Sequence, residues 1–288
     1  MSEKPAEKAQ DPAPARAKRR IPLNLWAGGA IVAVVLLVAV FAPLIAPFPY
    51  DQFHIKDRLQ PPNATYWVGT DEFGRDVFSR VLIGARLSLF MGVVATALSL
   101  VLGVPLGLIA GFYKGKVGEA IMRLMDLFMS FPPIILGLLI LAVTPPSIWK
   151  TAVAVGVVYV PVLVRITRSV ALGIMEEEFI VAARARGESA WYIMAAEVLP
   201  NAYPPIIVEG SLRVTFAILL AAALSFLGMG AQPPSSDWGL MISEARSFMD
   251  TGPWIALAPG LAMCITVIGV NLMGDGLRVL LDPRLKHR

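Results

Sequence analysis

Ala30-Ile31-Val32-Ala33-Val34-Val35-Leu36-Leu37-Val38 forms the middle of a run from Leu25 to Pro47 that carries no charge. A hydrocarbon layer about 30 Å thick is crossed by roughly 20 apolar residues in helical form, since each advances the axis by about 1.5 Å and bonds its backbone internally. The run therefore predicts a membrane-spanning helix over residues 25–47. The rest of the chain agrees: of 288 residues, 56% are hydrophobic and 16% charged, and mean hydropathy is +0.67. A soluble domain carries about 25% charged residues. There is too little polar surface here to coat a particle in water, and the fold class expected is an all-α integral membrane protein.

Working outward, further apolar stretches predict spans at about 87–112, 120–143, 151–172, 205–228 and 255–280. Six crossings leave both termini on one side. Basic segments resist translocation and stay cytoplasmic. With the amino terminus inside, 17 of the 25 Lys and Arg fall on the cytoplasmic face (the tail, the 113–123 turn, residues 165–186 and the carboxyl end), and 7 on the other. The expected organisation is a flexible basic cytoplasmic tail over 1–24, the first transmembrane helix over 25–47, an external segment over 48–85, a transmembrane domain over 86–281 and a short cytoplasmic tail over 282–288. The tail, ending Arg16-Ala17-Lys18-Arg19-Arg20, is too polar to offset the entropy of ordering. A cleaved signal peptide fits poorly, because the apolar run exceeds the usual length and a polar tail precedes it.

Composition excludes several classes. One cysteine, Cys264, gives no disulfide framework, and His54 and His287 are too isolated to hold a metal. The net charge of +4 flanks apolar runs rather than forming a basic domain, so nucleic acid is not a partner. No Gly-x-x-x-x-Gly-Lys-Ser/Thr cradle is present: Gly111-Phe112-Tyr113-Lys114-Gly115-Lys116-Val117 has the wrong spacing and no hydroxyl after the lysine. The chain is not expected to hydrolyse ATP or to bind a cofactor itself.

The most informative polar stretch is Glu176-Glu177-Glu178-Phe179-Ile180-Val181-Ala182-Ala183-Arg184-Ala185-Arg186-Gly187, continuing to Leu199-Pro200. Acidic residues suit a helix amino terminus, Gly187 suits the left-handed closure of a helix, Ser189 caps a second helix and Pro200 limits it. Ala182 and Ala183 are small enough for another protein to approach the backbone, and Arg184 and Arg186 offer charge-assisted bonds to an acidic rim. On residue chemistry alone, two readings stand: a docking knob, or an amphipathic helix lying against headgroups.

Three motifs carry a family resemblance. Ala182-Ala183, three residues, Gly187, and Leu199-Pro200 twelve positions further resemble the EAA loop of bacterial ABC import permeases, with Val181 where the family has its first Glu. Gly69-Thr70-Asp71, two residues, Gly74-Arg75-Asp76, and Ser79-Arg80 resemble the C-type subunit of dipeptide and oligopeptide permeases, a type shared by nickel, glutathione and opine importers. Ser225-Phe226-Leu227-Gly228-Met229-Gly230, Pro233-Pro234 and Trp238-Gly239 match the same family. Read for local physics only, Gly69 and Gly74 permit turns, Thr70 or Asp71 caps a helix, and Asp76 and Arg80 pair on its exposed face. Pro233-Pro234 stop the fifth span, Asp237 caps a following helix over about 240–248, and Trp238 suits the headgroup boundary.

Ionisable groups near the spans are few. Arg123 with Asp126, and Glu209 with Arg213, stand at helical pair spacing and read either as self-neutralised ion pairs or as gate residues. Asn271 and Asp275 read as helix-to-helix glue, Cys264 as a packing residue, and Gly103, Gly107 and Gly111 as a smooth packing face. Pro105 and Pro132-Pro133 should kink their spans.

The resemblance implies the transmembrane domain of a type I ABC importer in the bacterial inner membrane. Implied partners are a homologous second permease forming a heterodimer, two cytoplasmic ATP-binding subunits that hold ATP and magnesium, a periplasmic or extracellular solute-binding protein, and membrane lipid. Residues 176–200 would couple the chain to the ATPases. The rival classes are a self-sufficient secondary transporter or channel, which would show inverted repeats and buried coupling carboxylates, and a membrane-embedded enzyme, which would need clustered His, Asp or Glu.

Overall fold

A computed structural model describes residues 22–281. The basic tail and the 282–288 segment lie outside the described residues. The helices are α1 (Leu23–Ile45), α2 (Val77–Phe112), α3 (Lys116–Met129), α4 (Pro133–Leu141), α5 (Ile148–Ile174), α6 (Glu178–Ala185), α7 (Ala190–Tyr192), α8 (Leu199–Phe226), α9 (Trp238–Ala245) and α10 (Trp254–Leu281). Among the described residues, five helical stretches are long and apolar enough to cross a membrane, or six if α3 and α4 together make one span.

Glycine sets how closely the long helices approach. A Cβ on Gly103, Gly107 or Gly111 of α2 would meet Leu163, Thr167 or Ala171 of α5 within 3 Å, so α2 and α5 run parallel with backbones nearly touching. Gly28 of α1 would likewise strike Met273 of α10, and Gly276 would strike Leu25, so these two run antiparallel. The α8 helix lies antiparallel to α2, with Ile218 over Gly92 and Leu100 over Gly210. One end of the bundle thus gathers the 113–115 turn, the segment after α5, and the ends of α1 and α10 at Leu23 and Leu281. The other gathers the 46–76 segment and α9.

Several boundaries differ from the sequence expectation. The α2 helix begins at Val77 rather than near 87, because Asp76 caps it before the apolar stretch starts. The expected third span is broken: α3 and α4 meet at 91°. Pro132 is extended (ψ 136°), as the residue before a proline prefers, and neither Pro132 nor Pro133 can donate the bond that would continue α3. Pro105, by contrast, sits inside an unbroken α2. The fifth span does not stop at Pro233-Pro234 but at Phe226, where Leu227 and a left-handed Gly228 (φ +83°) turn the chain. Cys264 is exposed on α10 rather than packed.

The largest correction is at Pro200, which does not end a helix. Residues Ala190–Phe226 form one continuous 37-residue element. Between α7 and α8 the chain takes a π turn over Ile193–Val198, with Leu199 N donating to Met194 O, five residues back. A proline inside an α-helix clashes with the carbonyl four residues earlier, and widening the turn by one residue accommodates it.

Candidate functional site

At the α5 end of the bundle, α6 and the following turn form a knob. Its inner face is Ile180 and Ala183, both fully buried with Met175, Ile193, Met194 and Val198 against Leu108 and Ala171. Ala183 is therefore an anchor and not part of the accessible surface; of the alanine pair only Ala182 is exposed. The outer face carries Phe179, Val181 at 61% exposure, Ala182, Arg184 and Arg186. Closure of α6 is a Schellman turn: Glu188 N donates to Ala183 O (3.2 Å) and Gly187 N to Arg184 O (3.0 Å), with Gly187 at φ +79°. A Cβ on Gly187 would meet nothing within 4 Å, so the glycine is required by backbone conformation and not by space. Ser189 caps the next helix, accepting from Tyr192 N at 3.2 Å. Arg186 lies 3.6 Å from Glu188 and 3.5 Å from Glu197, while Arg184 stands 5.7 Å over the Phe112 ring. Leu199 is half-buried and Pro200 exposed, both past the π turn.

At the opposite end, the eight motif residues between Gly69 and Arg80 form one buried knot. Asp71 is its hub: Oδ1 accepts from the amides of Phe73 and Arg75 (2.9 Å each), and Oδ2 from Arg75 Nε (2.6 Å) and from Arg80 Nη1. Arg75 Nη2 also donates to Glu244 (3.1 Å) and Glu72 (3.4 Å), and Arg80 Nη2 to Glu244 (3.0 Å) and the Ser235 carbonyl (2.9 Å). Both arginines are 1% exposed. Thr70 is paired with Gln60 through backbone and hydroxyl, and its carbonyl accepts from Trp254 Nε1 at 3.1 Å. Gly69 and Gly74, at φ +82° and +74°, lie so close to Gln60 O and His54 O that no side chain fits.

Two local expectations are corrected here. The cap of α2 is Asp76, accepting from Ser79 N (2.8 Å) and Oγ (2.6 Å), rather than Thr70 or Asp71. Arg80 does not pair with Asp76 on an exposed face; both are buried and Arg80 turns to Asp71 and Glu244. Burial pushes the Glu72 carboxyl up, helped by the neighbouring Asp71 and Glu244 and opposed by a backbone hydrogen bond and by Arg75.

The α9 helix closes the same end. Asp237 caps it, as its spacing predicts, accepting from Leu240 N (3.1 Å) and Ser88 Oγ (2.9 Å); burial pushes its carboxyl up. Trp238 is buried, not at a headgroup boundary, and its Nε1 donates to Val81 O at 3.0 Å. Glu244, on α9, is the residue that sequence reasoning missed. Its one signal was being the lone acid in an otherwise apolar helix.

Of the two expected ion pairs, Glu209 and Arg213 do pair, Arg213 Nε lying 2.6 Å from Glu209 Oε1 and its guanidinium 4.9 Å from the Phe216 ring centroid. Arg123 and Asp126 do not. Asp126 accepts from Arg165 on α5 at 2.5 Å, and Arg165, counted above with the loop, lies inside α5. Asn271 meets Thr215 at 3.2 Å, tying α10 to α8, whereas Asp275 is exposed.

The family model described as binding-protein-dependent transport system inner membrane component matches residues 103–287, and that of the N-terminal TM domain of oligopeptide transport permease C matches 25–62. The chain is 44% identical over 89% of its length to the dipeptide transport system permease protein DppC of Alkalihalophilus pseudofirmus, covering 84% of that protein. It is 41% identical over 92% of its length to the di/tripeptide transport system permease protein DppC of Pseudomonas aeruginosa, covering 90% of that protein. It is 39% identical over 90% of its length to the glutathione transport system permease protein GsiD of Pectobacterium atrosepticum, covering 87% of that protein. In fold, it resembles an inward-facing structure of the MetNI methionine ABC transporter at TM-score 0.61 and 18% identity, over 71% of this chain and 97% of that one. Such permeases are not enzymes; the family implies an ATPase, which holds the ATP, and a substrate-binding partner. The chain therefore belongs to the binding-protein-dependent transport system inner membrane component family, as a multi-pass permease subunit of an ABC importer with the type I transmembrane fold.

Proposed function

We propose that this permease carries short peptides inward, forming half of a path completed by a homologous second permease. Two cytoplasmic ATP-binding subunits, holding ATP and magnesium, dock on the α6 knob, and a periplasmic or extracellular solute-binding protein delivers cargo at the α9 end. The observation that carries this reading is the knob: a Schellman-closed helix whose inner face is locked into the bundle and whose outer face offers Val181, Ala182 and Arg184. A short, rigidly seated, exposed helix transmits a partner's displacement as a rigid body. A peptide cargo is supported by relatives at 44% and 41% identity named for dipeptides and di/tripeptides, and glutathione, in the name of a relative at 39%, is itself a tripeptide. Placement of both termini and the knob in the cytoplasm is supported by the bias of basic residues, 16 to 7 once Arg165, which lies inside α5, is set aside.

The test is reconstitution of the chain with its co-encoded permease, ATPases and binding protein in proteoliposomes. ATP-dependent uptake of labelled dipeptide, reduced by excess dipeptide and not by nickel, is expected. Vectorial flux by the isolated chain, or uptake indifferent to peptide, would overturn the reading. Cysteines placed at Asn63 and Gln232 should label from outside, and one at Lys116 from inside.

A further inference from the structure

Two features at membrane depth are unsuited to lipid. The first is a polar stripe. Arg123, Asp126 and Ser130 follow one another at three- and four-residue spacing on one face of α3, and Arg165 and Ser169 do the same on α5; all five are exposed. The Asp126–Arg165 pair joins the two helices at 2.5 Å with both side chains about half exposed (56% and 51%). The amino end of α3 and the carboxyl end of α5 lie at the same end of the bundle, beside Gly111 and Ala171. Asp126 is ten residues into α3 and Arg165 nine residues before the end of α5, so at about 1.5 Å per residue each lies about 14–15 Å in. Both therefore lie well inside their helices, at a level that a hydrocarbon layer about 30 Å thick would enclose. An ion pair at that depth faces protein or water, not acyl chains.

The second feature is the elbow at the top of the stripe. Helix ends leave orphan carbonyls and amides. At Ser130-Phe131-Pro132 the end of α3 and the start of α4 stand together, with Met129, Ser130, Phe131, Pro132 and Pro133 all exposed. Irregular backbone at membrane depth is tolerated only in protein or along a water-filled cavity.

We propose that the α3–α5 stripe, Asp126 and Arg165 with Ser130 at the elbow, is this subunit's wall of the water-filled translocation path. The pair presents one acidic and one basic group within the bundle's span, complementary to a cargo that carries both an ammonium and a carboxylate; this complementarity rests on the peptide reading above. Burial against the second permease, with no water, is the competing arrangement.

The test uses the complete reconstituted transporter with Cys264→Ala in this chain. Ser130→Cys and, separately, Phe131→Cys are exposed to a permanently charged methanethiosulfonate reagent, with Leu37→Cys on α1 as the lipid-facing reference. The wall predicts labelling at least tenfold faster at 130 and 131 than at 37, with a rate that changes on adding ATP. Labelling at both positions no faster than at 37 overturns it. Saturating dipeptide should slow labelling several-fold. Fast labelling that dipeptide leaves unchanged supports the wall while counting against a peptide cargo.

Discussion

Arg75 and Glu244, 169 positions apart in the chain, meet at 3.1 Å and so fasten the segment before α2 to α9. Arg80 reaches the same Glu244 oxygen at 3.0 Å. Removing that carboxylate leaves two buried guanidiniums sharing Asp71, with only Glu72, 3.4 Å from Arg75, as a further acid. Glu244→Ala is expected to cost about 3–5 kcal/mol, the usual penalty for stripping one partner from a buried charged set. Thermal unfolding of the detergent-purified transporter checks this. Adding Arg80→Met should restore part of the loss, because the surplus charge goes with it.

Gly187 occupies a left-handed conformation in open space. Gly187→Val strains the backbone by about 1–2 kcal/mol without any clash. Membrane insertion should persist, ATP hydrolysis by the partner subunits should continue, and uptake per ATP should fall. Gly187→Asn, which tolerates this conformation, should keep most of the coupling. Equal uptake per ATP in wild type and Val variant would refute a coupling role for the knob.

Glu72 titrates above its ordinary value of 4.5 because the fold buries it. A carboxyl raised in the folded state favours the protonated form there, so its contribution is most favourable below the unfolded pKa and is lost as pH rises through the folded one. Glu72→Gln removes that loss. The melting-temperature advantage of the Gln variant should be near zero at pH 4 and should grow with pH to a plateau. A constant difference across the range would show that Glu72 does not titrate this way.

Gly107 touches α5 so closely that a Cβ would lie 2.8 Å from Val164 O, whereas Gly29 on α1 has open space around it. Gly107→Ala is expected to destabilise by about 1–3 kcal/mol through overpacking. Gly29→Ala should be neutral or slightly stabilising, since alanine is the better helix former. Unfolding of the two variants side by side distinguishes contact from propensity.

What the sequence made legible follows from how local each signal is. The apolar runs of α1, α2, α5 and α10 are self-contained, as are the turn at Gly187 and the caps at Ser189 and Asp237. A smooth face on α2 was readable because its glycines repeat every four residues, but that α5 packs there was not, since nothing local names the partner. Glu244 and Arg165 were not readable, because their partners are 164–169 and 39 positions away and nothing local marks the meeting. Asp76, not Thr70 or Asp71, caps α2 because it directly precedes Val77, while Asp71, five residues upstream, holds two arginines instead. Pro200 reads as a stop in a one-dimensional scan, and the π turn before it, which accommodates the proline, leaves no local mark in the sequence.

That π turn has a mechanical consequence. Because the chain does not break at Pro200, the stretch from Ala190 to Phe226 is a single strut about 55 Å long, close to twice the thickness of the hydrocarbon layer. One tip is rooted under the knob through Ile193 and Met194, and the other abuts α9, where Gly239 presses on Ala222. The strut's hydrogen-bond ladder is interrupted only toward the first tip, at the widened turn and at Pro204-Pro205, so beyond them any displacement delivered under the knob would be carried to α9 by one piece of backbone.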